Sequence, residues 1–242
     1  MEIIQVEGLC KAYGSLQAVK DLSFCVKRGQ VFGLLGANGA GKSTAIECML
    51  GTKKPDEGRV RILGLDPRRQ RKALFQQVGV QFQEASCQEN IRVGELCEAT
   101  AALYRSTANA GELLAWFGLA EKAGKPVSEL SGGQKQRLFI VLALLPNPSV
   151  VFLDELTTGL DAKARRDVWR YLTQLKAQGL TILLTSHFMD EVEALCDEIC
   201  VLRSGAAVFK GSVAEAREQT GCATLEQAYL HLTGEELIDE SV

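Results

Sequence analysis

The stretch that leaves this chain least freedom is Val31-Phe32-Gly33-Leu34-Leu35-Gly36 together with the segment it feeds, Gly36-Ala37-Asn38-Gly39-Ala40-Gly41-Lys42-Ser43. A short apolar run ending in glycine reads as a buried strand. The eight residues after it fit G-x-x-x-x-G-K-[ST], a loop whose backbone N–H groups cradle polyphosphate where a helix begins. Glycine at Gly36, Gly39 and Gly41 permits the sharp turn and lets the backbone approach the phosphates, with Asn38 and Ala40 between them. A helix is expected from Gly41 to Leu50, so strand and helix flank the loop as the motif requires. Lys42 would then reach the β- and γ-phosphates as a point charge, Ser43 would ligate Mg²⁺, and Thr44 would lie beside the α-phosphate.

Such a loop needs a carboxylate from the end of a neighbouring buried strand to complete the magnesium shell. Val150-Val151-Phe152-Leu153-Asp154-Glu155 supplies two. Asp154 is expected on the metal, directly or through water, and Glu155 beside the γ-phosphate as acceptor of the attacking water's proton. Further strands are expected at Arg59–Leu63, Val78–Phe82, Thr181–Leu184 and Ile199–Leu202, with helices at 162–177 and 188–195. The first thirty residues are β-rich, with Val6, Leu22, Phe24 and Val26 in alternating segments broken by Gly14 and Gly29. From about Glu84 to Pro148 the pattern turns helical, with Leu96, Leu103, Leu113, Leu114, Trp116, Phe117 and the run Leu138–Leu145 at helical spacing. Strands alternating with helices imply an α/β fold with a mostly parallel sheet covered on both faces.

Composition narrows the partners. The net charge is −3 over 242 residues, which argues against nucleic acid, since phosphate neutralisation needs clustered Lys and Arg. The one basic run, Arg68-Arg69-Gln70-Arg71-Lys72, reads as a solvated helix face after Asp66-Pro67. No apolar stretch approaches the ~18 residues of a membrane span, because the run Leu138–Leu145 is stopped by Pro146. The first residues lack a secretory signal, so a cytosolic chain is expected. Eight cysteines include no Cys-x-x-Cys pair, and free thiols are expected. Cys196 and Cys200 fall on a helix end and a strand, a poor metal pair.

Leu130-Ser131-Gly132-Gly133-Gln134-Lys135-Gln136-Arg137 combines an N-cap serine, two glycines with open backbone N–H groups and a following helix, an anion site without its own lysine. It resembles the signature motif of the ATP-binding-cassette (ABC) ATPases. It lies 89 residues after Lys42 and 23 before Asp154, in the order and spacing of that family, and the resemblance covers nearly the whole chain. It implies a P-loop NTPase core over residues 1–83 and 149–215 with an N-terminal antiparallel β part. A helical subdomain over 84–148 would carry the signature, and a short helical tail would cover 216–242.

The same resemblance implies roles for single residues. Tyr13 in Lys11-Ala12-Tyr13-Gly14 matches the adenine-stacking aromatic. Gln83 matches the glutamine that touches magnesium and leads into the surface facing a transmembrane partner. His187 matches the switch histidine that bonds the γ-phosphate and orients Glu155 and the water. Leu156-Thr157-Thr158-Gly159-Leu160-Asp161 resembles the loop that crosses to the other subunit, with Leu156 where most members carry proline. Ser131, Gly132, Gly133, Gln134 and Asp161 would accordingly touch nucleotide, and Gln83 would join Ser43 and Asp154 on the metal.

The function implied is ATP hydrolysis by a subunit that pairs head to tail around two ATP, as a homodimer or with a related ATPase subunit. It would power a separately encoded transmembrane permease from the inner face of the membrane, docking through Gln83 and Glu84–Glu95. The segment Leu225–Gly234 resembles the tails of drug- and lipid-type exporters, so export is expected. A regulatory cassette that signals through a membrane partner, or an importer subunit, would share the motifs. Cassettes acting on DNA or ribosomes usually carry two phosphate loops, a long coiled coil or a zinc insert, features missing from this sequence.

Overall fold

A computed structural model describes residues 1–82 and 90–234. Two sheets form. β1 (Glu2–Tyr13), β2 (Leu16–Lys27) and β4 (Glu57–Ile62) make an antiparallel sheet in the order β2-β1-β4. The second sheet is β5-β6-β7-β3-β8-β9, comprising β3 (Val31–Gly36), β5 (Val78–Gln81), β6 (Val150–Leu153), β7 (Thr181–Leu184), β8 (Glu198–Arg203) and β9 (Ala206–Gly211). All its pairings are parallel except β8 with β9.

The central parallel strands β3, β6 and β7 are buried along their whole length, and successive residues serve different layers because side chains alternate across a pleated strand. Val150 and Phe152 of β6, Leu183 of β7, and Phe32 and Leu34 of β3 face a core shared with the antiparallel sheet and α1 (Lys42–Met49). Val151, Leu153, Ile182 and Leu184 face the opposite core, shared with α5 (Gly132–Leu144) and α6 (Ala162–Ala177). Phe24 stacks on Phe32 at 4.6 Å and ties β2 to β3. On β8, Cys200 and Leu202 keep to the first layer. Ile199 and Val201 enter a third, smaller core with α7 (Met189–Leu195), α8 (Val213–Thr220) and α9 (Leu225–Thr233).

Between Asn90 and Pro148 the chain is helical: α3 (Val93–Ala101), α4 (Ala110–Trp116), two single 3₁₀ turns and α5, with one isolated β-bridge between Arg92 and Pro126. Two residues of the apolar pattern there do not enter the core. Leu103 lies beyond the end of α3 and is exposed, and Trp116 is half out of the surface against Tyr171. The basic run is only partly a helix: α2 spans Arg71–Leu74, while Arg68 and Arg69 sit in a turn whose backbone N–H groups Asp66 accepts. β9 was not legible, since only Phe209 of its six residues is buried. Every cysteine among the described residues is a free thiol, and burial pushes Cys97 up to about 11 and Cys200 up to about 12.

Candidate active site: strand ends around a phosphate loop

Strand register assembles the site. Gln81 pairs with Leu153 and Leu153 with Leu184, so the residues that follow, Asp154 and Thr185, emerge side by side at the carboxyl edge of the sheet. Leu184 pairs with Gly33, which carries β3 three residues farther before its loop begins. Ligands of open parallel sheets bind at this edge. The loop is shaped by glycine where no other residue fits. Gly36 (φ 150°) and Gly41 (φ 107°) have no room for a side chain, because a Cβ would stand 2.6 Å from the Leu202 carbonyl oxygen and 2.2 Å from that of Ala18. The β8–β9 hairpin braces the loop from behind, with the Gly205 N–H donating to the Ala40 carbonyl at 3.0 Å.

Lys42 opens α1 and is buried, its Nζ donating to the carbonyls of Gly36 (2.7 Å) and Ala37 (3.1 Å). The ammonium is thereby held inside the curve of the loop. A cleft of about 960 Å³ runs from there to the end of β1. Tyr13, Asn38, Gly39, Lys42, Ser43, Thr44 and Glu155 all line it. Tyr13 is 42% exposed, with the Lys11 and Lys53 ammonium groups 5.4 and 5.3 Å from its ring centroid. A partly exposed aromatic ring at one end and a buried cation on a loop of N–H groups at the other suit a nucleoside polyphosphate.

The acidic pair divides into two environments. Asp154 is buried and accepts a 2.6 Å bond from Thr185 Oγ1. Burial pushes its carboxyl above the usual range, against the lowering effects of that hydroxyl and of Lys42. Glu155 has φ 52°, a left-handed conformation that costs a non-glycine residue about 1–2 kcal/mol. Three bonds hold it there: its N–H donates to Thr185 Oγ1 at 2.8 Å, and Gln136 Nε2 donates to the carbonyls of Glu155 (3.1 Å) and Leu156 (3.0 Å). The result aims the Glu155 carboxylate at the cleft, where Oε1 meets His187 Nε2 at 3.1 Å and Oε2 accepts from Thr158 at 3.4 Å.

Ser131, Gly132, Gly133 and Asp161 gather elsewhere, in a separate cleft of about 340 Å³ that also includes Gly159 and Leu160. Gly133 packs closely on the 156–161 loop: a Cβ there would stand 3.0 Å from the Gly159 carbonyl oxygen and push that loop by a few tenths of an ångström. Ser131 and Gln134 form a reciprocal capping box, so the Gln134 side chain is turned onto the Ser131 N–H. Asp161 caps α6, and the N–H groups of Ala164 and Lys163 hold its carboxyl below the usual range. Gln83, and residues 84–89 of the expected docking surface, lie outside the described residues. Sequence reading passed over Thr185 as more than a neighbour of His187, and also Gln136 and Gly205. The first showed only as a hydroxyl at a strand end.

Fold and site together define a protein of the phosphate-loop class, and comparison with known proteins makes the class specific. The family model for ABC transporters matches residues 19–158, and the chain belongs to that family as an ATP-binding subunit. Nod factor export ATP-binding protein I of Ralstonia nicotianae is 41% identical over 232 residues, covering 93% of this chain and 72% of that protein. The protein of the same name from Bradyrhizobium diazoefficiens is 41% identical over 229 residues, covering 92% and 75%. A solved ATP-binding subunit of an ABC transporter superposes with a TM-score of 0.88 at 29% identity, covering 96% of this chain and 99% of its own. A bacterial ABC transporter cassette solved as a dimer gives 0.78 at 26%, covering 87% and 98%.

Proposed function

We propose that this subunit hydrolyses ATP at a site completed by a second copy or a related subunit, and that it drives export through a separately encoded transmembrane permease. Among the described residues no helix is long and apolar enough to cross a membrane. The relatives above are named for export, and this chain would act likewise, peripheral on the inner face of the membrane. The observation that carries the head-to-tail arrangement is the separation of the two half-sites. The phosphate loop lies in one cleft and the signature glycines in another, so one ATP is covered from both sides only if another subunit presents its Ser131, Gly132 and Gly133.

The residues present suit magnesium. Ser43 and Asp154 are hard oxygen donors, and Asp154 is a carboxylate whose burial disfavours its charge until a cation approaches. No group of three or more His, Cys, Asp or Glu converges among the described residues. Two protein oxygens with phosphate and water making up the rest is the pattern Mg²⁺ favours. When bound, the ion would neutralise charge on the β- and γ-phosphates.

The chain's own groups do the rest. Loop N–H groups and Lys42 hold the polyphosphate, and Tyr13 stacks the base. Glu155 accepts a proton from the water as its oxygen attacks the γ-phosphorus and the bond to the ADP oxygen breaks. His187 steadies the Glu155 carboxylate and reaches the γ-phosphate. Replacing a positioned base typically slows reaction ~10²–10⁴-fold with substrate binding retained. Glu155→Gln should therefore bind fluorescent ATP as the parent does while single-turnover hydrolysis falls by that factor, and near-parental turnover would refute the assignment.

A further inference from the structure

Beneath the loop that follows Glu155 lies a polar cluster that the reaction does not use. Glu191, in the first turn of α7, is fully buried. Its Oε1 accepts from Trp169 Nε1 on α6 at 2.9 Å. Its Oε2, the hydroxyl of Thr157 and Nε of Arg165 are buried without completing a hydrogen bond. Burial pushes the Glu191 carboxyl up, while the side chains of Ser186, Trp169 and Thr157, together with the Arg165 charge, favour its ionised form. Arg165 itself lies over the Phe188 ring at 3.9 Å and reaches Asp190 at 3.3 Å.

The carboxyl is thus bonded to α6 through Trp169, and polar groups of three segments favour its charge: Thr157 of the 156–161 loop, Ser186 of the His187 segment, and Arg165 of α6. Apolar side chains would pack such a site without the cost of a buried carboxyl. Two of the three segments bear directly on the chemistry. The loop starts at the residue after Glu155, and Ser186 precedes the histidine that touches Glu155 at 3.1 Å.

We propose that Glu191 is a positioning residue, a buried clamp that fixes the 156–161 loop to the His187 segment, so that seating that loop against another subunit sets the His187–Glu155 pairing. The clamp rests on the reading of Glu155 as base and of this loop as the one that crosses between subunits. It makes the partly satisfied cluster a moving part, because polar groups with spare bonding capacity can exchange partners when the loop shifts.

A merely stabilising role would make stability and turnover fall together, whereas a clamp separates them. Thr157→Val keeps the side chain's shape and removes a polar approach to Glu191 that falls short of a full hydrogen bond, so the melting temperature should change little. Turnover per bound nucleotide should nevertheless fall about threefold or more, since small misplacements near reacting groups are costly. Glu191→Leu should lower kcat about tenfold or more with KM for ATP within about twofold, because no nucleotide contact is touched. Glu191→Gln keeps the acceptor for Trp169 and turns an amide toward Thr157, and it should recover to within about threefold of the parent.

The test is steady-state kinetics of these variants beside thermal melts, with Trp169→Phe replacing Glu191→Leu if the latter does not fold. Parental kcat in Thr157→Val, or a Glu191→Gln as slow as Glu191→Leu, would overturn the clamp. Glu155→Gln is run in parallel. If it hydrolyses ATP normally the base assignment fails, whereas an inert Glu155→Gln beside Thr157→Val and Glu191→Leu at parental kcat refutes the clamp alone.

Discussion

Thr185→Val changes one atom type at the centre of the site. Thr185 is fully buried, and its hydroxyl does two things at once, donating to Asp154 at 2.6 Å and accepting the Glu155 N–H at 2.8 Å. Valine keeps the shape and abolishes both. A hydrogen bond to a charged group contributes about 1.5–3 kcal/mol, and a buried amide left unpaired costs about 1–3 kcal/mol. Since one hydroxyl serves both partners the two are not additive, and a loss of about 3 kcal/mol in unfolding free energy is expected. Thr185→Ser keeps the hydroxyl and loses a methyl group, which costs about 1 kcal/mol.

The deficit should depend on pH in a stated direction. The Asp154 carboxyl lies above its ordinary value because burial outweighs the Thr185 bond. Its contribution to stability is therefore fully present below the unfolded carboxyl's pKa and lost as pH rises through the folded one. Removing the largest lowering influence raises the folded value further, so the gap between Val and Ser variants should widen from acid to neutral pH. The acid limb of kcat/KM should move to higher pH for the same reason. Urea unfolding at several pH values and a pH–rate profile make the assay. A Thr185→Val protein as stable and as active as Thr185→Ser across that range would refute the reasoning.

Lys42→Ala should abolish binding of fluorescent ATP, because the ammonium is held inside the phosphate loop. Its melting curve checks that the fold survives, and unchanged affinity would remove the lysine from the site. Gly41→Ala should be far worse than Gly39→Ala, although both positions have positive φ. The first puts a Cβ 2.2 Å from the Ala18 carbonyl oxygen and the second meets nothing within 4 Å. Gly39→Ala should cost about 1–2 kcal/mol from φ alone. Gly41→Ala must in addition displace the loop by about 1 Å, enough to cost ~10²-fold in kcat/KM. Equal effects in parallel melts and kinetics would show that the close approach is not what glycine provides there.

What the sequence disclosed follows from the range of the interactions involved. The phosphate loop is a local device, with strand, glycines, lysine and helix start consecutive in the chain, and its members were readable one by one. The alternation of β6 and β7 between two cores was hidden, because strands buried on both faces are apolar throughout and carry no polar alternation. Helix α6 was clear from end to end, being amphipathic on the surface and started by Asp161. Thr185 acquires its role from register: only the pairing of Leu153 with Leu184 sets it beside Asp154. The same holds for Gln136 and Gly205, whose partners lie about twenty and more than a hundred and sixty residues away. A motif reports what its own residues can do, and a hydroxyl between two strands reports nothing until the sheet is built.

The central claim is that two subunits complete each ATP site head to tail, and size-exclusion chromatography of Glu155→Gln with and without ATP tests it most directly. With turnover blocked and one negative charge removed beside the γ-phosphate, ATP should shift the protein from monomer to dimer. Adding Ser131→Arg places a bulky cation in the second cleft, away from the phosphate loop and its lysine, so the double variant should bind ATP and remain monomeric. A double variant that dimerises with ATP as fully as Glu155→Gln alone would contradict the shared site.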